Sequence, residues 1–345
     1  MSRRSLRMRP EMRVAVTGAT GHVGSNLVRA LIERGDQVRV LVRGRGEQLA
    51  GLELERVAGD LEDVDALRRA FAGVEVVFHL AAKISISGDP QGHVRSTNVD
   101  GTRRVAEAAL AAGVRRMVHC SSVHAFDLYV PGQGPEPLVD ESWPRVPDAA
   151  PHFAYDRSKA AGERALREVM ALGLEAVIVH PSGVIGPHDH GPSRMGRVFL
   201  ELYHRSLPSL VDGGFDFVDV RDVVAGMLVA AERGQPGANY ILNGHDHRVA
   251  GLARLAEQVT GVRAPRITAP IRALRLGVPV VEAIGRVLRK EPLYTRESLA
   301  VLDTGKRFSH ARAQRELGYA PRPTLDTVRD IYAWFEQAGM LRRKR

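Results

Sequence analysis

The sequence predicts an α/β protein built on a doubly wound parallel sheet. Short, almost wholly apolar segments alternate with amphipathic helical segments, and this alternation is typical of a parallel sheet covered by helices on both faces. The predicted strands are residues 13–17, 37–42, 56–58, 74–80, 116–121, 174–180 and 239–242. The predicted helices are residues 23–35, 63–72, 98–112, 155–170, 195–203 and 251–260.

A glycine-rich turn joins the first predicted strand to the first helix. Residues 17–24 read TGATGHVG and follow the apolar strand directly. Small residues let the backbone approach a pyrophosphate, and the helix N-terminus offers free N–H groups and the positive end of its dipole. Strand, turn and helix in this order predict a Rossmann-type dinucleotide-binding site.

The end of the second predicted strand indicates which dinucleotide binds. NAD-binding proteins place a carboxylate there for the ribose 2′-hydroxyl, whereas this chain has Val42 followed by Arg43, with Arg45 close behind. Asp36 lies at the opposite end of the strand. Because a guanidinium suits a 2′-phosphate, we expect NADP(H), with NAD as the alternative. Arg43 as a solvated loop charge is the other interpretation.

Tyr155 and Lys159 form a candidate catalytic pair at the start of a long helical segment. Residues four apart project from one face of a helix, so the phenol and the ammonium can address one small volume. A nearby cation favours phenolate, which makes a tyrosine usable as an acid or base. An ordinary surface Tyr and Lys is the alternative interpretation. The glycine-rich turn earlier in the chain favours the catalytic one.

Composition excludes several classes of function. Of the formal net charge of +9, the first 12 residues and the last four together supply +7, so the rest of the 345-residue chain is nearly neutral and no nucleic-acid groove is expected. No apolar run approaches a membrane span, and no secretory signal is visible, so we expect a cytoplasmic protein without stable membrane insertion. The single cysteine, Cys120, excludes internal disulfides and is expected in the core.

No metal site is expected. The sequence holds two histidine pairs, His188 with His190 and His245 with His247. Each pair lacks a visible third ligand on regular structure, so polar loop residues are the better interpretation.

With these motifs in place, the chain resembles the extended short-chain dehydrogenase/reductases of the NAD-dependent epimerase/dehydratase superfamily. The resemblance covers about residues 12–335 and is carried by seven motifs in order. These are TGATGHVG at 17–24, GDL at 59–61, HLAA at 79–82, SS at 121–122, YDRSK at 155–159, PSGVIGP at 181–187 and FVDVRD at 217–222. Residues 83–86, 122–126, 294–297 and 317–323 are most similar to the dihydroflavonol-reductase and 3β-hydroxysteroid-dehydrogenase group.

The resemblance implies roles for individual residues. Tyr155 is the implied acid/base, Lys159 binds the nicotinamide ribose and lowers the tyrosine pKa, and Ser122 binds the reacting oxygen. The implied cofactor contacts are Gly18, Thr20, Gly21, His22, Val23, Arg43, Asp60, Leu61, Leu80, Ala81, Ala82, Tyr155, Lys159, Pro181, Ser182, Gly183 and Val184. His180 departs from the arginine common in the family, which affects local packing more than chemistry.

The expected organisation is a Rossmann domain over residues 13–185, to which 217–242 return, and a smaller C-terminal mixed substrate-binding region over 186–216 and 243–335. Two basic tails flank them: residues 1–12, which are expected to be disordered, and residues 336–345. The proline-rich stretch 128–151 is expected to form a substrate wall, with a disordered insertion as the alternative. Residues 271–288 are predicted to form an apolar helix that packs on the protein, covers a substrate or touches a membrane.

These features together predict an NADP(H)-dependent oxidoreductase acting on a ketone or secondary alcohol, with a lipophilic or polycyclic small-molecule substrate. A sugar-nucleotide epimerase or dehydratase that uses NAD is the first alternative, and a cofactor-sensing protein without catalysis is the second. The family also indicates a homodimer through the helices at 98–112 and 155–170.

Overall fold

The computed structural model describes residues 11–85, 88–130, 138–148, 152–278 and 295–342. Its main sheet has seven parallel strands in the order β11-β7-β5-β4-β1-β2-β3, which confirms the predicted fold class. The strands are β1 Arg13–Thr17, β2 Gln37–Val42, β3 Glu55–Ala58, β4 Val76–His79, β5 Arg116–Cys120, β6 Leu138–Val139, β7 Ala176–Pro181, β8 Gly183–Ile185, β9 Leu210–Val211, β10 Gly214–Asp219, β11 Asn239–Leu242, β12 His245–Arg248, β13 Thr268–Ala269 and β14 Arg307–Phe308.

Helices cover both faces of this sheet. They are α1 His22–Glu33, α2 Val64–Phe71, α3 His93–Arg95, α4 Gly101–Ala111, α5 Ala154–Met170, α6 Arg194–His204, α7 Val220–Arg233, α8 Val249–Thr260, α9 at 271–278, α10 Arg296–Leu302, α11 Ala311–Leu317 and α12 Thr324–Gln337. Short 3₁₀ turns lie at Glu47–Leu49 and Val123–Ala125. Residues 279–294, which include the rest of the predicted helix 271–288, lie outside the described ranges.

Most predicted bounds agree with the structure to within two residues, but the helix predicted over 98–112 begins earlier. It starts at His93 and passes through a π-helical turn, Ser96–Asp100, before α4. The Asp89 carboxylate accepts the N–H groups of Val94 and Arg95 at 2.9 and 3.0 Å, which fixes this earlier start. The prediction missed it because the segment has no apolar periodicity.

The order of the strands places a crevice beside β1. The chain runs from β1 outward to β2 and β3, then crosses to β4, β5 and β7 on the other side. Where the order reverses, between β1 and β4, the connections leave toward opposite faces and open a cleft at the carboxyl ends of the strands. Leu80, the first residue after β4, donates its N–H to the Thr17 carbonyl at 3.1 Å, so the two strand ends stay together at this cleft.

Separate apolar cores lie on the two faces of the sheet. On one face α1, α7 and α11 contribute buried side chains, among them Leu27 and Leu31 of α1. On the other face α2, α4 and α5 contribute Phe71 and Leu166, both with no exposed surface. This double covering explains why the strands are apolar almost throughout, since each strand residue meets a helix on one face or the other.

A third apolar core lies in the C-terminal part of the chain. There β10 pairs in parallel with β8 and antiparallel with β12, and α6, α8 and α12 pack against this small mixed sheet. Phe199, Tyr332 and Phe335 are among its buried residues. Strand β11 instead joins the main sheet beside β7. The domain boundaries given above stay a prediction, as does the homodimer.

Part of the proline-rich stretch is ordered by contacts with other segments. β6 pairs with β14, and Phe126 forms an antiparallel bridge with Arg145. Residues 131–137 and 149–151 of the stretch lie outside the described ranges. Among the helices that the structure describes, none combines the length and the hydrophobicity that a membrane crossing requires.

Helix α5 is anchored by a buried carboxylate. Glu163, on α5 and 2% exposed, accepts hydrogen bonds from Ser121 at 2.5 Å, from Arg145 at 3.0 Å and from His180 Nε2 at 2.7 Å. Ser121 follows β5, His180 belongs to β7 and Arg145 belongs to the proline-rich stretch. One side chain therefore connects the helix to the end of β5, to β7 and to the proline-rich stretch. The His180 side chain has no exposed surface, so the histidine is fully accommodated in this packing.

The protonation of Glu163 follows from these partners. Burial by itself raises the pKa of the carboxyl, but His180, through its charge and hydrogen bond, and Arg145 and Ser121 outweigh burial and hold the pKa well below its usual range. Glu163 is therefore an anion at neutral pH. A group whose pKa is lower in the folded than in the unfolded state contributes stability above its unfolded pKa, near 4.3, and this contribution disappears as the pH falls through the folded pKa.

We expect Glu163→Gln to lower the free energy of unfolding at pH 7 by about 2–4 kcal/mol, because the amide leaves buried donors poorly paired. The difference from wild type should shrink below about pH 4, where the wild-type carboxyl begins to lose its advantage. Urea unfolding at several pH values measures both effects. The matched control is Glu168→Gln on the same helix. Glu168 forms an exposed ion pair with Arg103, so its loss should lower the free energy of unfolding by less than about 1 kcal/mol. Equal costs for the two variants at pH 7 would contradict this role.

Candidate active site

A cavity of about 460 Å³ opens at the carboxyl ends of β1, β4, β5 and β7. Its wall has three parts: the glycine-rich turn, a polar group around Tyr155, and a mostly apolar side from the C-terminal region, which also carries Ser193, Arg194, Glu297 and Ser298. The apolar side consists of Met195, Val198, Phe215, Phe217, Val249, Val301 and Leu302. The cavity therefore joins a dinucleotide turn to an apolar chamber.

The three predicted catalytic residues lie together on the wall of this cavity. Tyr155 and Lys159 project from α5, and Ser122 precedes the 3₁₀ turn that follows β5. All three are at least nine-tenths buried. The ammonium of Lys159 donates to the Cys120 carbonyl at 3.1 Å and lies 5.9 Å from the centre of the Tyr155 ring. The predicted helix face thus does bring the phenol and the ammonium to one volume.

The pKa of the Tyr155 phenol is raised in this structure rather than lowered, while the contribution of Lys159 itself stays a prediction. Burial is the largest influence and raises the pKa of the phenol, and the hydrogen bond with Ser122 only partly opposes it. Burial also lowers the pKa of Lys159, against the opposing effects of Cys120 and Glu163. Tyr155 is therefore a protonated phenol at neutral pH, which is the form that can donate a proton.

Cys120 lies at the edge of this site. It packs against the main core as expected, but it also lines the cavity, which the sequence did not indicate. Burial raises the pKa of its thiol to about 11, against the opposing charge of Lys159. The thiol is therefore neutral, and its backbone carbonyl, as the acceptor for Lys159, makes the more important contact.

Asn98 holds the catalytic helix from the other side. Its side-chain amide donates to the Lys83 carbonyl and to Ser158 Oγ, both at 2.9 Å, and its oxygen accepts the Lys83 N–H at 2.7 Å. Ser158 in turn donates to the Tyr155 carbonyl at 2.7 Å. Sequence reasoning missed this residue. The available signal was an asparagine at the start of a predicted helix, because a polar side chain that becomes buried there needs hydrogen-bond partners.

Most of the predicted cofactor residues line the cavity. They are Gly18, Gly21, His22, Val23, Leu80, Ala82, Tyr155, Lys159, Pro181, Ser182, Gly183 and Val184. The ring of His22 hydrogen-bonds to the Pro187 carbonyl at 3.0 Å, which joins the glycine-rich turn to the loop after β8. The remaining predicted contacts, Thr20, Arg43, Asp60, Leu61 and Ala81, lie beyond the cavity wall. They occupy the ends of β1, β2, β3 and β4 at the same edge of the sheet.

The glycine-rich turn fits a dinucleotide. Gly18 has φ +75°, and a Cβ there would lie 2.5 Å from the Ala81 nitrogen, so only glycine allows this approach between the ends of β1 and β4. A Cβ on Gly24 would overlap the Gly18 carbonyl. The N-terminus of α1 has no side-chain cap, so its first N–H groups remain available to a phosphate.

Asp216 shapes the wall beside Ser182 and was also missed from sequence. It is 1% exposed, and its carboxylate accepts hydrogen bonds from Ser182 Oγ at 2.5 Å, the Gly244 N–H at 2.8 Å and Asn243 Nδ2 at 2.9 Å. The carboxylate therefore joins the segment after β7 to the segment after β11. In the sequence, nothing distinguishes Asp216 from an ordinary residue of a strand.

The histidine pairs have other partners. His245 bonds to the Arg322 carbonyl and His247 to Thr324, while His188 and His190 lie against Trp334. Burial, followed by nearby cations, lowers the pKa of His188 to about 4. Across the described ranges, no three side chains of histidine, cysteine, aspartate or glutamate are grouped so that they could hold a metal ion.

Comparison with known proteins places the chain in a family. Residues 14–261 match the NAD dependent epimerase/dehydratase family. The chain is 37% identical to sterol demethylase protein B of Methylococcus capsulatus, over 96% of this chain and 100% of the relative. It is 34% identical to a putative dihydroflavonol 4-reductase of Synechocystis, over 95% of each chain. It is 29% identical to a 3-beta-hydroxysteroid dehydrogenase of Mycolicibacterium neoaurum, over 91% of this chain and 88% of the relative.

A solved structure shares the whole fold. The crystal structure of gox2253 is 38% identical, covers 96% of this chain and 100% of its own, and superposes with a TM-score of 0.79. The resemblance deduced from the motifs is thereby confirmed along with the fold. The chain is an NAD(P)-binding oxidoreductase of the NAD-dependent epimerase/dehydratase family, and within it belongs to the extended short-chain dehydrogenase/reductases that resemble dihydroflavonol reductases and 3β-hydroxysteroid dehydrogenases.

Proposed function

We propose that this protein is an NADP(H)-dependent oxidoreductase that interconverts a ketone and a secondary alcohol on a lipophilic, polycyclic substrate. The observation that carries the proposal is the cavity itself. It brings the hydroxyl groups of Ser122 and Tyr155, the ammonium of Lys159 and an apolar chamber to one place beside the glycine-rich turn.

NADP(H) bound along the glycine-rich turn and residues 181–184 would donate hydride to the substrate carbon, and NADP⁺ would accept hydride from it. Side chains of the protein bind the substrate oxygen and transfer its proton. Tyr155, buried and protonated, donates its proton to the carbonyl oxygen as negative charge develops there, and Ser122 donates a second hydrogen bond to the same oxygen. The ammonium of Lys159 stabilises the negative charge left on Tyr155. In the direction of alcohol oxidation, the same groups accept the proton.

The preference for NADP(H) rests on Arg43 and Arg45. Arg43 follows β2 at its carboxyl end, where the ribose of the adenosine half is expected, and both arginines are exposed. Neither makes a hydrogen bond or ion pair with a residue in the described ranges, so both guanidinium groups are available to a 2′-phosphate. Asp36 cannot replace the carboxylate of an NAD site. It lies before β2 and accepts the Met12 N–H at 3.2 Å.

The substrate class follows from the apolar side of the cavity. Seven apolar residues from β10, α6, α8 and α10 form this side, which suits flat hydrocarbon rings. The names of the relatives, sterol, dihydroflavonol and hydroxysteroid, all refer to polycyclic compounds. A nucleotide sugar needs many hydrogen-bonding partners, whereas apolar residues form most of this side of the cavity, which is why we rank epimerase chemistry second.

We expect Tyr155→Phe to lower kcat for ketone reduction by about 10²–10⁴-fold, because the proton donor is lost. The Kd for NADPH should stay within about threefold of wild type, since the ring keeps its place. Stopped-flow reduction of a panel of polycyclic ketones, with NADPH binding followed by fluorescence, measures both. The control is Tyr203→Phe, a ring on α6 that does not line the cavity. Full turnover by Tyr155→Phe would overturn the assignment, and NADPH binding by wild type without turnover of any carbonyl would indicate a cofactor sensor.

We expect Arg43→Ala to reduce the ratio of NADPH to NADH affinity by about tenfold or more, because one charge-assisted hydrogen bond to the 2′-phosphate is lost. Affinity for NADH should change little. Fluorescence titrations with both cofactors give the ratio, and Arg68→Ala, an exposed arginine on α2 that pairs with Asp65, is the control. An unchanged ratio in both Arg43→Ala and the double variant with Arg45→Ala would contradict the cofactor preference.

A further inference from the structure

Asp216 is a buried carboxylate whose hydrogen-bond partners carry no positive charge. It accepts hydrogen bonds from the Ser182 hydroxyl, the Asn243 amide and the Gly244 N–H, all of which are neutral donors. Across the described ranges, no lysine or arginine forms an ion pair or a hydrogen bond with it, although it is only 1% exposed. A buried charge without a counter-ion is costly, so this carboxylate points to a ligand that supplies the opposite charge.

Two histidines experience the charge of Asp216 but do not neutralise it. Burial lowers the pKa of His310 and of His247, against the opposing charge of Asp216, so both imidazoles are neutral at pH 7. The Asn243 amide is fixed as well. Its nitrogen lies between two acceptors, Asp216 at 2.9 Å and the Phe308 carbonyl at 3.2 Å, and therefore presents a donor to the carboxylate. The protein thus orients Asp216 with dipoles and leaves its charge uncompensated.

Asp216 lies directly behind the part of the cavity wall where we expect the nicotinamide ring. Ser182 and Gly183 line the cavity, whereas Asp216 itself does not. The Ser182 hydroxyl donates to Asp216 Oδ1 at 2.5 Å, and a Cβ on Gly183 would lie 2.9 Å from the Asp216 carbonyl oxygen. Both the side chain and the backbone of Asp216 therefore contact this wall. The carboxylate is one side chain, that of Ser182, away from the cavity.

The charge of a nicotinamide ring changes in the proposed reaction. The ring is neutral in NADPH and positive in NADP⁺, so hydride donation creates a positive charge in the cavity and hydride acceptance removes it. A buried anion acts on such a charge through a low effective dielectric, and its orientation is fixed before the charge appears. An anion behind residues 182–183 therefore stabilises the oxidised ring more than the reduced ring.

Other ionisable groups on the cavity wall leave room for such an anion. Lys159 and Arg194 line the cavity with positive charges, which disfavour an oxidised ring. Burial, and then the negative charge of Asp156, raise the pKa of Glu297 to about 7, so this carboxyl carries only part of a charge at pH 7. Asp216 offsets part of the positive charge that the site needs for its chemistry.

We propose that Asp216, held behind Ser182, is an electrostatic positioning residue that favours the oxidised nicotinamide ring and so makes bound NADPH a stronger hydride donor. The inference rests on the proposed function and adds to it a buried anion that acts through the cavity wall. Asp216 touches neither the cavity nor the reacting atoms. Its effect on the cofactor follows from its charge, and the hydrogen bond from Ser182 keeps that charge beside the wall.

The first test is the ratio of the Kd for NADP⁺ to the Kd for NADPH, measured by calorimetric titration without substrate. We expect Asp216→Asn to raise this ratio at least about fivefold over wild type, because the oxidised ring loses its anion. Asp216→Ser should raise it as well, and its smaller side chain avoids placing one amide nitrogen against that of Asn243. Thermal melting verifies that each variant folds. A purely structural role would weaken both cofactors alike and leave the ratio unchanged.

Two control variants separate the charge of Asp216 from its surroundings. Asp246 lies directly opposite Asp216 on β12, is partly exposed and pairs with Arg307. Because an exposed charge is screened by solvent, Asp246→Asn should leave the ratio within about twofold of wild type. Ser182→Ala removes the hydroxyl but keeps the carboxylate, so it should weaken both cofactors to a similar extent and also leave the ratio within about twofold.

The rate of hydride transfer is a second readout. Single-turnover stopped-flow experiments use the polycyclic ketone that wild type reduces fastest, and the corresponding alcohol. We expect Asp216→Asn to slow reduction about threefold or more, whereas alcohol oxidation should keep its rate or become faster, because oxidation starts from the positive ring that the anion stabilises. A disturbed geometry would instead slow both directions.

The outcomes separate this inference from the function on which it rests. An unchanged Kd ratio in the Asp216 variants that fold, or equal slowing of reduction and oxidation, would overturn the inference while the reductase assignment stands. A raised Kd ratio without turnover of any ketone by wild type would support the role of Asp216 and overturn the reductase assignment. Failure of wild type to bind either form of the cofactor would contradict both.

Discussion

The hydrogen-bonded burial of Glu163 is the interaction on which the geometry of the site depends. Tyr155, Lys159 and Glu163 stand on one face of α5 and are 9%, 5% and 2% exposed, so the helix presents three polar side chains to the interior. Such a face is stable only where each group finds a partner. Glu163 finds its partners in Ser121, Arg145 and His180, and these contacts set the distance of the helix from β5 and β7.

A second set of contacts completes the positioning of the same helix. Asn98 connects Lys83, in the segment after β4, to Ser158 and so to the backbone beside Tyr155. Gly162 has no room for a Cβ because the Asn98 carbonyl lies against it, so α5 and the π-helical turn approach closely. The catalytic phenol is thus positioned by polar contacts and by close backbone packing, which is the arrangement that a preorganised site requires.

The sequence was sufficient for the fold class, for most element bounds and for the catalytic and cofactor side of the cavity, but not for its apolar side. Apolar strands, the glycine-rich turn and the Tyr155–Lys159 spacing are patterns within single segments. They can therefore be recognised without knowing which distant segments pack together. The failures involved contacts between distant segments. Asn98 acquires its importance from Lys83 and Ser158, and Asp216 from Ser182, Asn243 and Gly244, residues 15 to 60 positions away that no spacing rule marks. The direction of the pKa shift of Tyr155 was misjudged for a similar reason, because burial, which the sequence does not specify, is the largest influence and raises the pKa.

The central claim is net reduction of a carbonyl by NADPH in the cavity beside Tyr155. The most direct measurement uses NADPH that carries deuterium at the transferable position of nicotinamide C4, with polycyclic ketones as acceptors and mass spectrometry of the products. We expect deuterium at the carbinol carbon of the alcohol, in a one-to-one ratio with the NADP⁺ formed. Absence of label from every product despite NADPH binding would contradict the claim, and so would protein that retains NAD and epimerises nucleotide sugars without net oxidation of the cofactor.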